Sequence, residues 1–333
     1  MALKHIALVT GGYSGEAVIS YKTATTIQQH LDQSLFKTYW IDITPAGWFY
    51  VDETSTRTVV DRNDFSVLIN GVKQKFDAVF IALHGTPGED GKLQGYFDML
   101  GLPYTSCNAL TSAITFNKRV ATAVAGAAGV AVAASVLLVK ENWADWEEKL
   151  KNLKLPVFVK PNNGGSSIGM SKVNQPGEPL RKALEKAFQE DEQVLVEEMV
   201  VGREFTVGVY KSNGVIAVLP ITEVIADADM PFFDFVAKYQ GKSTEVTPAK
   251  ITTEWETRIV TTAKKVYQTF QCSGVVRIDF IFNEETQQPY MLELNSIPGQ
   301  SEASIIPQQV RAAGGTLREF YTQLLKDCLT SPA

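Results

Sequence analysis

The chain has 333 residues, 45% apolar and 20% charged, a balance that fits a folded globular protein of two or three domains and excludes a disordered or fibrous one. Its 31 Lys and Arg against 37 Asp and Glu give a net charge of −6, so no global field attracts nucleic acid or an acidic membrane, and any bound phosphate must be held locally. Three cysteines (Cys107, Cys272, Cys328) without CxxC or Cys/His spacing argue against a disulfide framework and a zinc site and for a reducing, cytoplasmic compartment.

Residues 5–9 form a short apolar run with no small-residue cleavage site after it, so the N-terminus reads as a strand and not as a secretion signal. No uninterrupted apolar stretch reaches the roughly 18 residues of a membrane span; the Ala/Gly-rich stretch 120–139 is too weakly apolar and reads as helix, turn and strand. A helix-like stretch at 17–31 and strands at 38–43 and 78–83 continue an alternation that predicts a parallel α/β sheet with ligand groups at the carboxyl ends of its strands. Two turns sit at such ends, GGYSGE (11–16) and HGTPGEDG (84–91). His84 therefore holds a functional position, with a plain turn residue as the alternative. GGYSG with Asp42 half-imitates a dinucleotide fingerprint, but the spacing is wrong.

A second unit begins near Ser106, with a long helical stretch through Lys118, a strand at 133–139, a helix near 143–150 and a strand at 156–160. A helix behind Pro179 follows, with Leu180, Ala183, Leu184, Ala187 and Phe188 at helical spacing. Between these lies VFVKPNNGGSSIGMS (157–171), whose glycines let backbone N–H groups approach phosphate oxygens while Lys160 and the serines add donors. No GK[ST] closes it, so it is not a Walker motif, and in isolation such a run is a flexible surface loop. In VLVEEMVVGREFTV (194–207) a strand runs into Glu197, turns at Gly202 and resumes at Glu204. Backbone groups from Glu198 to Val200 could read an adenine edge and Glu204 could accept from ribose hydroxyls; solvated glutamates are the alternative.

The third unit opens with strands at 205–210 and 215–224, and the polar, aromatic-containing stretch 226–248 is long enough to be an active-site flap. Thr253 with Glu256 reads as a capping box for a helix on which Trp255, Ile259, Ala263, Val266 and Phe270 share a face. The units divide as 1–105, 106–203 and 204–333. The hairpin VVRIDFIFNEETQQPYMLELNSIPG (275–299) is the most informative segment. Alternation puts Arg277 and Asp279 on one face, and Glu293 and Asn295 on one face of the return strand opposed to Leu292 and Leu294. With the turn near Thr286, Asp279 lies opposite Glu293 and Arg277 opposite Asn295. Two carboxylates and an amide suit Mg²⁺ shared with substrate phosphates, and an adjacent Arg suits a transferring phosphoryl group; a solvated face with a cross-strand ion pair is the alternative.

Taken together, GGYSGE, ALHGTPGEDGKLQGYFDMLGLPYTS, FNK, FVKPNNGGSSIGMS, VEEMVVGREFTV, FDFVAKY, RIDF and LELNSIPGQSEAS resemble the D-alanine:D-alanine ligase family of the ATP-grasp superfamily, over nearly the whole chain. The resemblance implies a three-domain α/β ATP-grasp fold with an N-terminal parallel α/β domain, and ATP clasped between the other two. It implies ATP-dependent ligation of two D-alanines through an acyl phosphate, for peptidoglycan precursor synthesis, by a cytoplasmic homodimer. ATP and two Mg²⁺ (or Mn²⁺) are the implied cofactors. Carried over by motif, Lys118 and Lys160 contact the ATP phosphates under the Ser166/Ser167 loop, Glu197, Glu198 and Val200 the adenine, and Glu204 the ribose. Asp279, Glu293 and Asn295 hold the metals. Glu16 binds the ammonium of the first D-alanine, near His84; Arg277 and the N–H of Gly299 stabilise the oxyanion, and Ser304 receives the acceptor's carboxylate. Lys238, which would contact ATP, and Tyr239 lie on the flap, Tyr239 hydrogen-bonding with Ser166 and Glu16; relatives that make the ester usually lack this tyrosine. Val18 replaces a second acid after Glu16, Gly164 stands where many members have a larger residue, and Gln300 stands where Met or Leu is usual.

Overall fold

The computed structural model describes residues 3–165, 168–226 and 243–330. The first sheet contains β1 (Lys4–Gly11), β2 (Phe36–Thr44), β3 (Gly47–Val51), β4 (Arg57–Asp61), β5 (Ser66–Ile69), β6 (Val72–Gln74) and β7 (Ala78–Ile81), in the order β6-β5-β4-β3-β2-β1-β7. Among the named strands of this sheet parallel pairing is confined to β2-β1-β7, where Ile6, Ala7, Leu8 and Val9 are fully buried between helical layers. The expected parallel sheet is thus mixed: from β2 outward the pairing is antiparallel. These extra strands are short and partly exposed, too weak in alternation to stand out, although Asn70-Gly71, both with positive φ, is a hairpin signal between β5 and β6. Helices α1 (Ala17–His30) and α2 (Lys92–Leu100) flank the sheet.

The expected long helix through Lys118 is two helices, α3 (Ala109–Phe116) and α4 (Lys118–Ala127). The break lies at Asn117, whose extended backbone and side chain, accepting from the Val120 N–H, start a new helix. The second sheet is antiparallel, made of β8 (Ser135–Val139), β9 (Val157–Pro161), β10 (Ser171–Val173) and β11 (Gln193–Glu198), in the order β10-β9-β11-β8. Helices α5 (Trp146–Leu150) and α6 (Glu178–Ala187) cover it, and α6 buries Leu180, Ala183, Leu184 and Ala187 at the spacing read from sequence.

The third sheet holds β12 (Arg203–Ser212), β13 (Val215–Val218), β14 (Thr222–Ala226), β15 (Ser243–Val246), β16 (Val275–Asn283) and β17 (Gln288–Asn295). The single strand expected at 215–224 is split into β13 and β14, which pair different stretches of β12; Pro220, lacking an N–H, lies in the break. Of the expected flap, 227–242 lies outside the described residues, while 243–246 is strand β15 on the sheet edge. Helix α7 (Thr253–Thr269) is capped by Thr252, which accepts from the Trp255 N–H, and not by Thr253 with Glu256: the helix begins one residue earlier than the box implied. Ile259, Ala263 and Val266 are buried against the sheet, and Trp255 stacks on Phe282 with ring centres 4.3 Å apart.

Two further helices, α8 (Ile305–Ala312) and α9 (Leu317–Thr330), complete the described chain. Leu317, Phe320, Tyr321 and Leu324 of α9 share a core with Ile6, Leu8 and Phe80 of the first sheet, Phe80 meeting Tyr321 edge to face at 5.8 Å.

Candidate active site

The three sheets converge on one cavity of about 690 Å³. From the third sheet, β16 and β17 present Arg277, Asp279, Glu293 and Asn295 in the register read from sequence: Arg277 faces Asn295 and Asp279 faces Glu293. A register shift follows Asp279, so that Phe280 faces Met291 and Leu292 becomes the extra residue of a bulge. Leu292, expected on the apolar side with Leu294, therefore lines the cavity, while Leu294 stays in the core.

Asp279 is buried and densely held. Arg277 donates to it from Nε (2.9 Å) and Nη2 (2.8 Å), Thr206 Oγ1 donates at 2.5 Å, and Asn295 Nδ2 lies 3.3 Å away. Among the described residues no three His, Cys, Asp or Glu side chains gather into a group able to hold a metal alone. The donors are instead two facing carboxylates and one amide, all oxygen, which fits a hard divalent cation that completes its shell with water and phosphate.

From the second sheet, Lys160 at the end of β9 pairs with Glu197 of β11 (Nζ to Oε2, 2.5 Å), both largely buried in the cavity wall. Lys118, first residue of α4, donates to the Gly164 carbonyl at 2.5 Å and so grips the glycine turn. Asn162, fully buried, accepts from the Arg119 N–H, and its own carbonyl accepts from the Lys118 N–H, fixing the helix start against that turn. Glu198 turns its carboxylate away to accept from the Lys154 N–H, leaving its backbone with Met199 and Val200 along the cavity, and Glu204 lies at the same end.

From the first sheet come Glu16, at the N-terminus of α1, and His84, just beyond β7. A methyl group built on Gly85 (φ +69°) would lie 2.9 Å from Glu16 Oε2, and one on Gly165 would lie 2.8 Å from Glu16 Oε1. The carboxylate is thus wedged between the histidine turn and the phosphate-type turn, and the positive φ of Gly85 favours glycine there. Gly299 and Ser304 border the same space; Ser304 is the N-cap of α8, yet its hydroxyl caps nothing and instead meets Ser301 Oγ at 2.7 Å.

The cavity therefore gathers Glu16, His84, Lys118, Lys160, Glu197, Glu198, Val200, Glu204, Arg277, Asp279, Glu293, Asn295, Gly299 and Ser304. Ser166, Ser167, Lys238 and Tyr239 lie outside the described residues. Sequence reasoning missed Glu89, held by the Gly85 N–H at 3.0 Å with its other oxygen 3.8 Å from His84 Nδ1, and Thr206, the donor to Asp279. Glu89 was within reach, as the acid of HGTPGEDG; Thr206 was not, because only strand pairing sets it beside Asp279. Asp42 is accounted for structurally: Tyr21 donates to it at 2.9 Å and Arg57 at 2.7 Å.

No helix among the described residues is long and apolar enough to cross a membrane. The family model described as D-ala D-ala ligase N-terminus matches residues 5–107, and D-ala D-ala ligase C-terminus matches 124–326. A relative from Flavobacterium johnsoniae named D-alanine--D-alanine ligase is 44% identical, covering 97% of this chain and 99% of its own. The solved VanG D-Ala:D-Ser ligase from Enterococcus faecalis superposes with a TM-score of 0.87 at 30% identity, over 98% of this chain and 99% of that one. A Bacillus anthracis D-alanine--D-alanine ligase complexed with ATP does so with 0.77 at 26% identity, over 98% and 97%. With both halves of the family model and a full-length relative at this identity, the chain belongs to the D-alanine–D-alanine ligase family.

Proposed function

We propose that the protein ligates two D-alanines to D-alanyl-D-alanine with ATP, for peptidoglycan precursor synthesis in the cytoplasm, and that it works as a homodimer of chains divided functionally at 105/106 and 203/204. The observation that carries the reading is the meeting, in one cavity, of Glu16 and His84 from the first sheet, two lysines from the second and the Asp279–Glu293 pair from the third.

In this reading Lys118 and Lys160, with the turn at Gly164 and Ser166–Ser167, hold the ATP phosphates. Glu197 and the backbone of Glu198 to Val200 take the adenine, and Glu204 the ribose. Asp279, Glu293 and Asn295 would hold two Mg²⁺, which would neutralise charge on the transferring phosphoryl group. Glu16 pairs with the ammonium of the first D-alanine, beside His84. That substrate's carboxylate takes the γ-phosphoryl group, giving an acyl phosphate and ADP. The second D-alanine's neutral amine then attacks the acyl carbon; the tetrahedral adduct, its oxyanion facing Arg277 and the Gly299 N–H, expels phosphate, which carries away the proton lost by the nitrogen, and leaves the amide. Ser304, with its uncapped hydroxyl at the N-terminus of α8, receives the acceptor's carboxylate. Lys238 contacts ATP, and Tyr239 closes the site against water, which would otherwise hydrolyse the acyl phosphate.

A D-serine acceptor is the second reading, favoured by the likeness to the VanG ligase. Phosphate release from ATP, Mg²⁺ and D-alanine, with chromatography of products when D-serine or D-lactate competes, tests both. The first reading expects the dipeptide as main product; no D-alanine-dependent phosphate release would overturn it.

A further inference from the structure

Helix α1 carries three threonines in four positions, and they behave differently. Thr25 and Thr26 return their hydroxyls to the carbonyls four residues earlier, Tyr21 and Lys22. Thr23, fully buried, does not: its Oγ1 lies 2.9 Å from His84 Nε2 and accepts from the Gln300 backbone N–H at 3.3 Å. One hydroxyl thus touches the histidine beyond β7 and the turn that carries Gly299.

Hydrogen-bond accounting fixes the direction of the first contact. With no water reaching a fully buried hydroxyl, its proton needs an acceptor, and His84 Nε2 is the one available among the described residues. Gln300 Oε1, also buried, finds no partner and is out of reach. His84 Nε2 must then be the bare nitrogen, and its single proton sits on Nδ1. That N–H faces Glu89 Oε1 at 3.8 Å, too far for a hydrogen bond, on the cavity side. The ring is further located by the Ser20 hydroxyl, which accepts from the His84 backbone N–H at 2.9 Å.

We infer that Thr23 is a positioning residue for the ligation: its hydroxyl holds His84 as the Nδ1–H tautomer, so that a donor points at the first substrate, and in the same stroke pins the turn whose Gly299 N–H faces the oxyanion. The inference rests on the ligase reading for its kinetic consequence, but not for the tautomer.

The test uses the full-length protein with 15N-labelled histidine, whose three residues (His5, His30, His84) give few signals. Long-range 1H–15N correlation should show His84 as Nδ1–H in the parent and in Thr23→Ser, and losing that preference in Thr23→Val, which keeps the branched shape without the hydroxyl. Thr23→Val should lower kcat about tenfold, the worth of one buried hydrogen bond, with the KM for ATP unchanged, and Thr23→Ser should restore most of the rate. An Nε2–H tautomer in the parent overturns the inference whether or not the valine variant folds. So does a folded Thr23→Val with parental kcat. A tautomer switch in a protein that ligates no D-alanine would leave the tautomer assignment standing and overturn both the ligase reading and the positioning role that rests on it.

Discussion

Asp279 and Glu293 face each other directly across the β16–β17 ladder, two carboxylates in register on one face of a hairpin whose other face is core. Like charges so placed repel unless a cation intervenes, and Arg277 leans onto Asp279 from two residues away. Glu293→Gln removes one metal-type oxygen donor and leaves Lys118, Lys160 and the glycine turn intact. Turnover is expected to fall by at least about a hundredfold while ATP binding, followed by calorimetry without D-alanine, survives. Near-normal ligation by this variant would remove the metal assignment.

Glu16 is wedged between Gly85 and Gly165 but belongs to the substrate side of the cavity. Glu16→Gln keeps the shape and removes the charge that would pair with an ammonium group. The KM for the first D-alanine, measured with the second saturating, should rise about tenfold or more, with the KM for ATP little changed. A KM equal to the parent's would show that the carboxylate serves only to shape the two turns.

Tyr239 lies outside the described residues, and its prediction rests on the family resemblance. Tyr239→Phe removes a hydrogen bond worth about 0.5–1.5 kcal/mol and keeps the ring. Near pH 6 the amine of D-alanine is almost wholly protonated, whereas a hydroxy acid carries no such handicap. The variant is expected to form measurable D-alanyl-D-lactate near pH 6, where the parent makes little, and still to make the dipeptide at pH 8. Products from equal D-alanine and D-lactate, separated by chromatography, decide it; identical ratios for parent and variant would reduce Tyr239 to packing.

Burial pushes the Cys328 thiol on α9 from its ordinary value near 9 up to about 12. An acid whose folded value is raised stabilises the fold fully below the unfolded value and loses that contribution as pH climbs to the folded one, here between pH 9 and 12. At pH 10.5 the loss is about 2 kcal/mol. Cys328→Val removes the ionisable group, so the drop in melting temperature from pH 8 to 10.5 should be smaller than in the parent. Equal drops would mean that Cys328 ionises while still folded.

The sequence was most readable where period two and facing chemistry coincided, in the 275–299 hairpin, whose register followed from a turn centred near Thr286. It was least readable where one residue changes the backbone course. The extra residue Leu292 carries a side chain to the opposite face, Asn117 ends one helix and begins another, and Pro220 splits a strand; each is a local event that leaves the surrounding apolar pattern unchanged. Thr206, Glu89 and Thr23 escaped for other reasons. Thr206 and Thr23 matter through partners more than 60 positions along the chain, which leave no mark on periodicity, whereas Glu89 binds within its own turn and was overlooked in a motif already singled out.

The docking of α9 on β1 and β7 also sets the order in which the molecule can be completed. That face of the first sheet is covered in part by Ala24 and Ile27 of α1, but its cover is completed only by residues made about 240 positions after β7, roughly 10–50 s of synthesis at ordinary elongation rates. For that interval the growing chain carries a greasy, strand-edged surface of the kind that chaperones hold. The first hundred residues are for the same reason a poor candidate for excision: expressed alone, they should aggregate, and adding a peptide spanning 317–330 in trans should rescue their solubility.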